Sequence, residues 1–279
     1  MKFAVGVPNV RGYADPRLLV DLAIRAEAAG WDGFFVWDHL VYHEPGDPVC
    51  DPWVVASAVA AVTQRLRFGV LLCALPRRRP WKVAREVATL DRLSGGRAAF
   101  GAGLGSLPAE EYAAFGEDDQ AAVRAGKLEE GLAILRGLWS GEPFSYSGRH
   151  YIVFEIVFLP TPVQRPLPIW VGGRWPNRRA FRRAAFWDGV FPTHEEIGHA
   201  ETMSPAQLAE IVEYTLKHRE SHAPFDVLME GHTDSRGTQR KHRIRPYADV
   251  GLTWWVEKLG WFRGSMEDAC RRIDEGPPS

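Results

Sequence analysis

With 279 residues, 46% of them hydrophobic and 25% charged, the sequence has the make-up of a soluble globular protein with a sizeable core. Lys and Arg number 34 against 35 Asp and Glu, and a net charge of −1 gives no electrostatic reason to expect nucleic acid or an anionic membrane as partner. The three cysteines (Cys50, Cys73 and Cys270) form no CxxC pair, which argues against a disulfide framework or a zinc knuckle. No apolar run reaches the roughly 18–20 residues of a membrane span, and Pro8 breaks the apolar start too early for a signal peptide, so a cytoplasmic enzyme is expected.

In chain order, "KFAVGVP" (2–8) reads as a buried strand. "DPRLLVDLAIRAEAAG" (15–30) reads as a helix with Asp15 as N-cap, Pro16 in the first turn and Gly30 as the stop. "WDGFFVWDH" (31–39) is a second strand, and "DPWVVASAVAAVTQ" (51–64) repeats the Asp-Pro helix start. A third strand, "LRFGVLLCA" (66–74), precedes a helix from Pro80 to about Ser94, and "RAAFGAGLG" (97–105) is the fourth. Runs this apolar, alternating with helices, indicate parallel strands buried on both faces. A helix over 119–140 follows, then a hairpin over 144–160, inserted (about 141–160) before strand five, "LPIWVGG" (167–173). The helix "NRRAFRRAAF" (177–186), strand six "WDGVFP" (187–192) and a helix over 204–220 continue the alternation. Strand seven is "FDVLMEG" (225–231), strand eight "GLTWWVE" (251–257), and "SMED" at Ser265 has the form of a capping box. The polar stretch "GHTDSRGTQRKHR" (231–243) is expected to be a mobile connection. Eight strand–helix units without a long linker favour a single TIM barrel over residues 1–279, not an open doubly wound sheet.

In such a barrel the C-terminal strand ends and the loops after them build the active-site face. Asp38 and His39 close strand two, Cys73 strand three and "GAGLGS" (101–106) strand four; Gly172, Gly173 and Arg174 close strand five, and Phe191, Pro192 and His194 strand six. Asp38 and His39 are either an ion pair that orients a loop or a proton-transferring pair at the mouth. A metal at His39, His43 and Glu44 is disfavoured, because a four-residue spacing aligns ligands on a helix and this is a strand end. "GAGLGS" lacks the spacing, helix and following acid of a dinucleotide fingerprint; its glycines either admit a flat ligand or pack the mouth. The Gly172–Gly173 turn, Arg174 and a helix starting near Pro176 offer N–H groups and positive charge to an anion. Arg178, Arg179, Arg182 and Arg183 read as a solvated helix face, "PRRRPW" (76–81) as a surface or lid loop, and "TWW" (253–255) as packing.

Several stretches, in order and over nearly the whole chain, resemble the bacterial luciferase-like flavin oxidoreductases. They are "GWDGFFVWDHL", "PRRRPWKVAREVATLDRLSGGRAAFGAGLG", "FGED", "GLAILRGLWSGEPFSYSGRHY", "RPLPIWVGGRWPNRRAFRRAAFWDGVFP" and "YADVGLTWWVE". The resemblance implies a TIM barrel with a flavin at its C-terminal mouth. It implies a bulge at the end of strand three, often with a non-prolyl cis peptide, here at Leu71–Leu72 with Cys73 just after, supporting the ring from behind. Gly103 and the Gly172–Gly173–Arg174 turn then match cofactor-binding positions, the turn on the phosphate. Asp38 and His39 match positions near the ring or substrate, His39 as acid/base and Asp38 fixing its tautomer or bonding the ring.

The activity so implied is a monooxygenase using reduced FMN and oxygen on a small organic substrate, with a separate flavin reductase as partner. The alternatives are hydride transfer with the deazaflavin coenzyme F420 and a non-catalytic flavin-binding protein. Some deazaflavin-dependent sugar-phosphate dehydrogenases of the family carry a Glu where this chain has Ser106, which disfavours that activity. Loops near 42–50, 106–118 and 193–203 are expected to line the substrate pocket. A homodimer through "VASAVAAV" (55–62) is expected, unless that helix packs on its own barrel.

Overall fold

A computed structural model describes residues 1–43, 46–233 and 238–278. Eight parallel strands close into a barrel: β1 (Lys2–Val7), β2 (Gly33–Val36), β3 (Arg67–Ala74), β4 (Ala98–Gly103), β7 (Ile169–Trp175), β8 (Gly189–His194), β9 (Asp226–Gly231) and β10 (Trp254–Lys258). Going round the wall the order is β1-β10-β9-β8-β7-β4-β3-β2, so each strand pairs with its neighbours in the chain and β10 closes on β1 through Lys2↔Trp254 to Gly6↔Lys258. The two remaining strands, β5 (Phe144–Ser147) and β6 (Ile152–Ile156), form the expected antiparallel hairpin outside the barrel. The Glu130 carboxylate pins that hairpin by accepting the N–H groups of Arg149, His150 and Tyr151.

The helices start where the Asp-Pro pairs predict. Asp15 accepts the Arg17 N–H ahead of α1 (Pro16–Ala28), and Asp51 accepts those of Trp53 and Val54 ahead of α2 (Pro52–Val62). Along the chain follow α3 (Pro80–Leu93), a single turn α4 (Pro108–Glu111), α5 (Ala121–Leu138), α6 (Arg178–Ala184), α7 (Pro205–Lys217), α8 (Thr238–Asp249) and α9 (Met266–Asp274). The capping box ahead of α9 is made by Ser265 and Asp268. No helix of the described residues is long and apolar enough to cross a membrane.

Strand six begins two residues later than expected, because the Asp188 side chain turns back to accept the Ile169 N–H. The stretch expected to be a mobile connection carries α8; its residues 234–237 lie outside the described ones. This helix buries Ile244 and Tyr247 on an otherwise polar surface, too few apolar positions to give a readable period. In α2, Val55, Ala56, Val59 and Ala60 are buried among the chain's own elements, so the small-residue face is used within the barrel.

Two cores result. One lies between strands and helices. The other fills the barrel, where Phe35, Trp170 and Trp254 meet edge-on or tilted at 5.7–6.0 Å between ring centroids, and Leu71, Phe191 and the partly buried Leu72 lie over them toward the mouth.

Candidate functional site at the barrel mouth

A cavity of about 440 Å³ opens among the loops at the C-terminal strand ends. Its lining includes Asp38, His39, Leu71, Leu72, Gly103, Gly172, Gly173, Arg174 and Phe191, whereas Cys73, Gly101, Pro192 and His194, also singled out at the strand ends, do not line it. The Cys73 thiol is fully buried, pairs in register with Ala102 on β4, and burial pushes its pKa up; it does not reach the cavity. Glu44, weighed above as a metal ligand, lies outside the described residues.

The floor is made by the end of β3. The Leu71–Leu72 peptide is cis, as the resemblance implies, and the β3–β4 register shifts between Val70 and Cys73. The two leucine side chains rise into space that neighbouring glycines leave open. A Cβ on Gly101 or Gly172 would collide with Leu71 or Leu72, and one on Gly103 would come within 3.1 Å of Leu72. The strand-end glycines therefore serve the leucine platform in the first place, a packing role.

Asp38 and His39 do not pair with each other. Strand β2 stops at Val36, short of the expected end at residue 39, so both lie in the loop after it, and each side chain finds a different partner. Asp38 accepts the Ala74 N–H at 2.9 Å and forms ion pairs with Arg78 at 2.8 Å and Arg77 at 3.1 Å, its side chain 1% exposed. Burial pushes its pKa up, but Arg77 and Arg78 outweigh that and hold it below the ordinary carboxylate range. The loop "PRRRPW" thus turns two of its arginines inward, contrary to the surface or lid role expected of it. Asp38 is an ion pair that fixes the loop, and it does not set the His39 tautomer.

Glu111 does. The loop after β4 passes through Leu107 at φ +49° and returns as α4, which carries Glu111 behind the histidine. Glu111 Oε1 accepts the Leu40 N–H at 2.8 Å and meets His39 Nδ1 at 3.0 Å. A carboxylate has no hydrogen to give, so Nδ1 is the donor and Nε2 is left for the cavity that His39 lines. The other Glu111 oxygen is buried with no hydrogen-bond partner, 3.7 Å from Arg77. Asn9 holds the His39 main chain on both sides, accepting its N–H at 3.1 Å and donating to its carbonyl at 2.8 Å. Sequence reasoning missed Glu111 and Asn9. Nothing local marks Glu111, and only its three-dimensional return to strand two reveals it.

Two opposite ends of the mouth differ in charge. On the β4–β7 side, Arg174 is exposed and donates to the Glu195 carbonyl at 3.4 Å, with no carboxylate partner among the described residues. Arg124 donates to the carbonyls of Leu104 and Gly105. The helix expected near Pro176 begins at Arg178 and runs for 7 residues. Arg183, expected on its solvated face, is buried and paired with Glu129 at 2.8 Å, whereas Arg178, Arg179 and Arg182 are exposed as expected. Across the barrel, Trp37, His199, Glu230 and Lys258 line the other end. The His199 pKa is lowered, first by burial and then by Lys258.

Comparison with known proteins gives this arrangement a family. The sequence model described as "Luciferase-like monooxygenase" matches residues 1–227, and the chain belongs to that family. An uncharacterised Mycobacterium tuberculosis protein is 34% identical over 187 residues, 61% of this chain and 63% of that protein. An F420-dependent glucose-6-phosphate dehydrogenase of Nakamurella multipartita is 33% identical over 199 residues, 68% of this chain and 57% of the relative. The chain thus spans less than two thirds of the length of these relatives. Among solved structures, an F420-dependent secondary alcohol dehydrogenase superposes with a TM-score of 0.81 at 15% identity, covering 99% of this chain and 98% of that one. A monooxygenase from Streptomyces bottropensis gives 0.70 at 21%, covering 99% and 90%. At these identities the superpositions speak for the barrel fold alone.

Proposed function

We propose that this member of the luciferase-like monooxygenase family is a cytoplasmic flavin-dependent oxidoreductase that uses reduced FMN, delivered by a separate flavin reductase, and oxygen on a small organic substrate. The observation that carries the reading is the leucine platform beside a tautomer-fixed histidine. Leu71 and Leu72 stand in glycine-made spaces at the end of β3, next to the His39–Glu111 pair.

These residues fit the cofactor. Leu71, Leu72 and Gly103 would hold the flat ring, while Gly172, Gly173 and Arg174 would take its phosphate. When bound, reduced FMN supplies the electrons that activate oxygen. The chain's own part is orientation and proton handling. His39 Nε2 gives a proton to, or takes one from, the substrate oxygen; Glu111 on Nδ1 keeps the ring turned; Asn9 prevents the loop after β2 from sliding. Trp37, Leu71, Leu72 and Phe191 present apolar surface that keeps water out.

A second reading, hydride transfer with F420, is favoured by the curated relatives named for that coenzyme. The Glu111 carboxylate is fully buried behind His39 and is absent from the cavity lining, whereas Ser106, where some deazaflavin-dependent relatives carry a Glu, does line it. The test is titration of the purified chain with FMN and with F420, followed by fluorescence. FMN binding, then oxygen uptake with a flavin reductase and NADH, supports the first reading. Binding of F420 alone selects the second, FMN binding with no substrate-linked turnover points to a flavin carrier, and no binding of either removes both enzyme readings.

A further inference from the structure

Glu230 is the penultimate residue of β9 and Lys258 the last of the neighbouring β10, and β8 separates this pair of strands from β7, which holds Arg174. Their side chains are 13% and 12% exposed and form an ion pair at 3.0 Å inside the cavity lining. Glu230 is anchored a second time, its Oε1 accepting the Trp37 indole N–H at 3.0 Å, so the carboxylate is not free to swing away. Lys258 lies over the faces of Trp37 and Phe262, with Nζ 5.4 and 5.5 Å from the ring centroids, so the rings hold the ammonium in place. An ammonium has three hydrogens to donate, and Glu230 is the only ion-pair partner of Lys258 among the described residues.

From this geometry we infer that Glu230 and Lys258 form the substrate-selecting end of the mouth, admitting an uncharged carbonyl-bearing molecule and rejecting a carboxylate or phosphate. The inference rests on the mouth being an oxidoreductase site and names its substrate class. A neutral carbonyl oxygen needs only one of the remaining Lys258 N–H groups. An anion at the same place meets Glu230, fixed beside the lysine, and gains little because the ammonium is already neutralised. The surroundings add no positive charge: Asp38 and Glu111 balance Arg77 and Arg78, and burial together with Lys258 disfavours the cationic form of the neighbouring His199. This would separate the chain from relatives named for a sugar phosphate.

Benzamide and benzoate have nearly the same shape and differ in charge, and calorimetric binding of each to the full chain tests the inference. Wild type should prefer benzamide by about tenfold, the scale of one charge-assisted hydrogen bond. Glu230→Gln keeps an acceptor for Trp37 and should reverse the order, tightening benzoate by about tenfold while benzamide changes by less than about threefold. Lys258→Met should weaken benzamide by roughly tenfold. Arg174 is unchanged in both variants, so a shift between wild type and Glu230→Gln belongs to this end; if Lys258→Met fails to fold, that comparison decides alone. Tighter benzoate binding to wild type, no benzamide binding, or a preference unmoved by Glu230→Gln overturns the inference. Titrating FMN and F420 in parallel separates the two failures. Cofactor binding with an unmoved preference removes only this inference, and a moved preference without cofactor binding removes only the oxidoreductase reading.

Discussion

Replacing Asp38 by asparagine tests whether this residue is structural or chemical. Its carboxylate is almost wholly enclosed and answers three donors: the Ala74 N–H, Arg78 and Arg77. Asparagine keeps the shape and one acceptor oxygen but leaves Arg77, 5% exposed, with Glu111 at 3.7 Å as its nearest counter-charge. Breaking a buried pair by removing one partner costs about 3–5 kcal/mol, and the retained acceptor places the loss near the low end, about 3 kcal/mol. At roughly 2–4 °C per kcal/mol for a chain of this size, the Tm should fall by about 6–12 °C. Urea unfolding followed by tryptophan fluorescence should give the same loss with an unchanged m-value. The sign of the pH dependence follows from the depressed pKa of Asp38. The stabilisation is complete above the unfolded-state value of about 3.9 and disappears as pH falls through the lower folded-state value. The gap between wild type and variant should therefore be flat from pH 8 to pH 5 and close only below about pH 4. A loss under about 1 kcal/mol, with turnover abolished, would refute the structural assignment and return Asp38 to the chemistry.

Other substitutions separate the remaining roles. His39→Asn should lower kcat by about 100-fold or more while FMN affinity moves by less than about threefold; equal losses in both would remove its acid/base role. Glu111→Gln can still accept the Leu40 N–H, but its amide can also present N–H to Nδ1 and no longer fixes the tautomer, so kcat should fall by roughly tenfold with KM nearly constant; equal changes in kcat and KM argue against positioning through His39. Arg174→Gln should weaken FMN by about tenfold and leave riboflavin, which lacks the phosphate, unaffected; equal effects on both would detach Arg174 from the phosphate. His232 has a lowered pKa, from burial first and Arg263 next, although one of its nitrogens also meets the His199 carbonyl. A base with a depressed folded-state pKa costs stability as pH falls below its unfolded value of about 6.5, so His232→Gln should flatten the loss of Tm between pH 7 and pH 5; parallel curves contradict this.

The barrel was legible because its signals are local. Each strand is an apolar run, each early helix carries its own Asp-Pro start, and the hairpin stands out against that rhythm. The helix α8 was not legible, because among its described side chains only Ile244 and Tyr247 are buried, and a period needs more positions than that. At the mouth, the strand ends could be found from sequence, and Leu71, Leu72, Gly172 and His39 do line one cavity. What could not be read was partnership. "Asp-His" looks like a pair in the sequence, yet in the loop after β2 the two side chains part, Asp38 toward arginines about 40 residues away and His39 toward Glu111, 72 positions on. The three arginines of "PRRRPW" likewise look solvent-facing until a buried carboxylate on the neighbouring strand end gives two of them a reason to turn in.

Charge in the mouth is arranged in self-cancelling groups, and the exceptions give the cavity a direction. Asp38 and Glu111 answer Arg77 and Arg78, Glu230 answers Lys258, and Glu129 answers Arg183. Among the described residues that line the cavity, Arg124 and Arg174 are the basic side chains without a carboxylate partner, and both belong to the β4–β7 side. A ligand with one anionic end and one neutral end therefore has a single favourable orientation, its anion toward Arg174 and its uncharged part toward Lys258. A phosphate-bearing flat cofactor with a neutral substrate beyond its ring has that polarity. The same asymmetry explains why Glu230→Gln is the informative substitution. It adds an uncompensated cation at the far end to Arg124 and Arg174, and a cavity with positive charge at both ends would no longer distinguish which way an anion should lie.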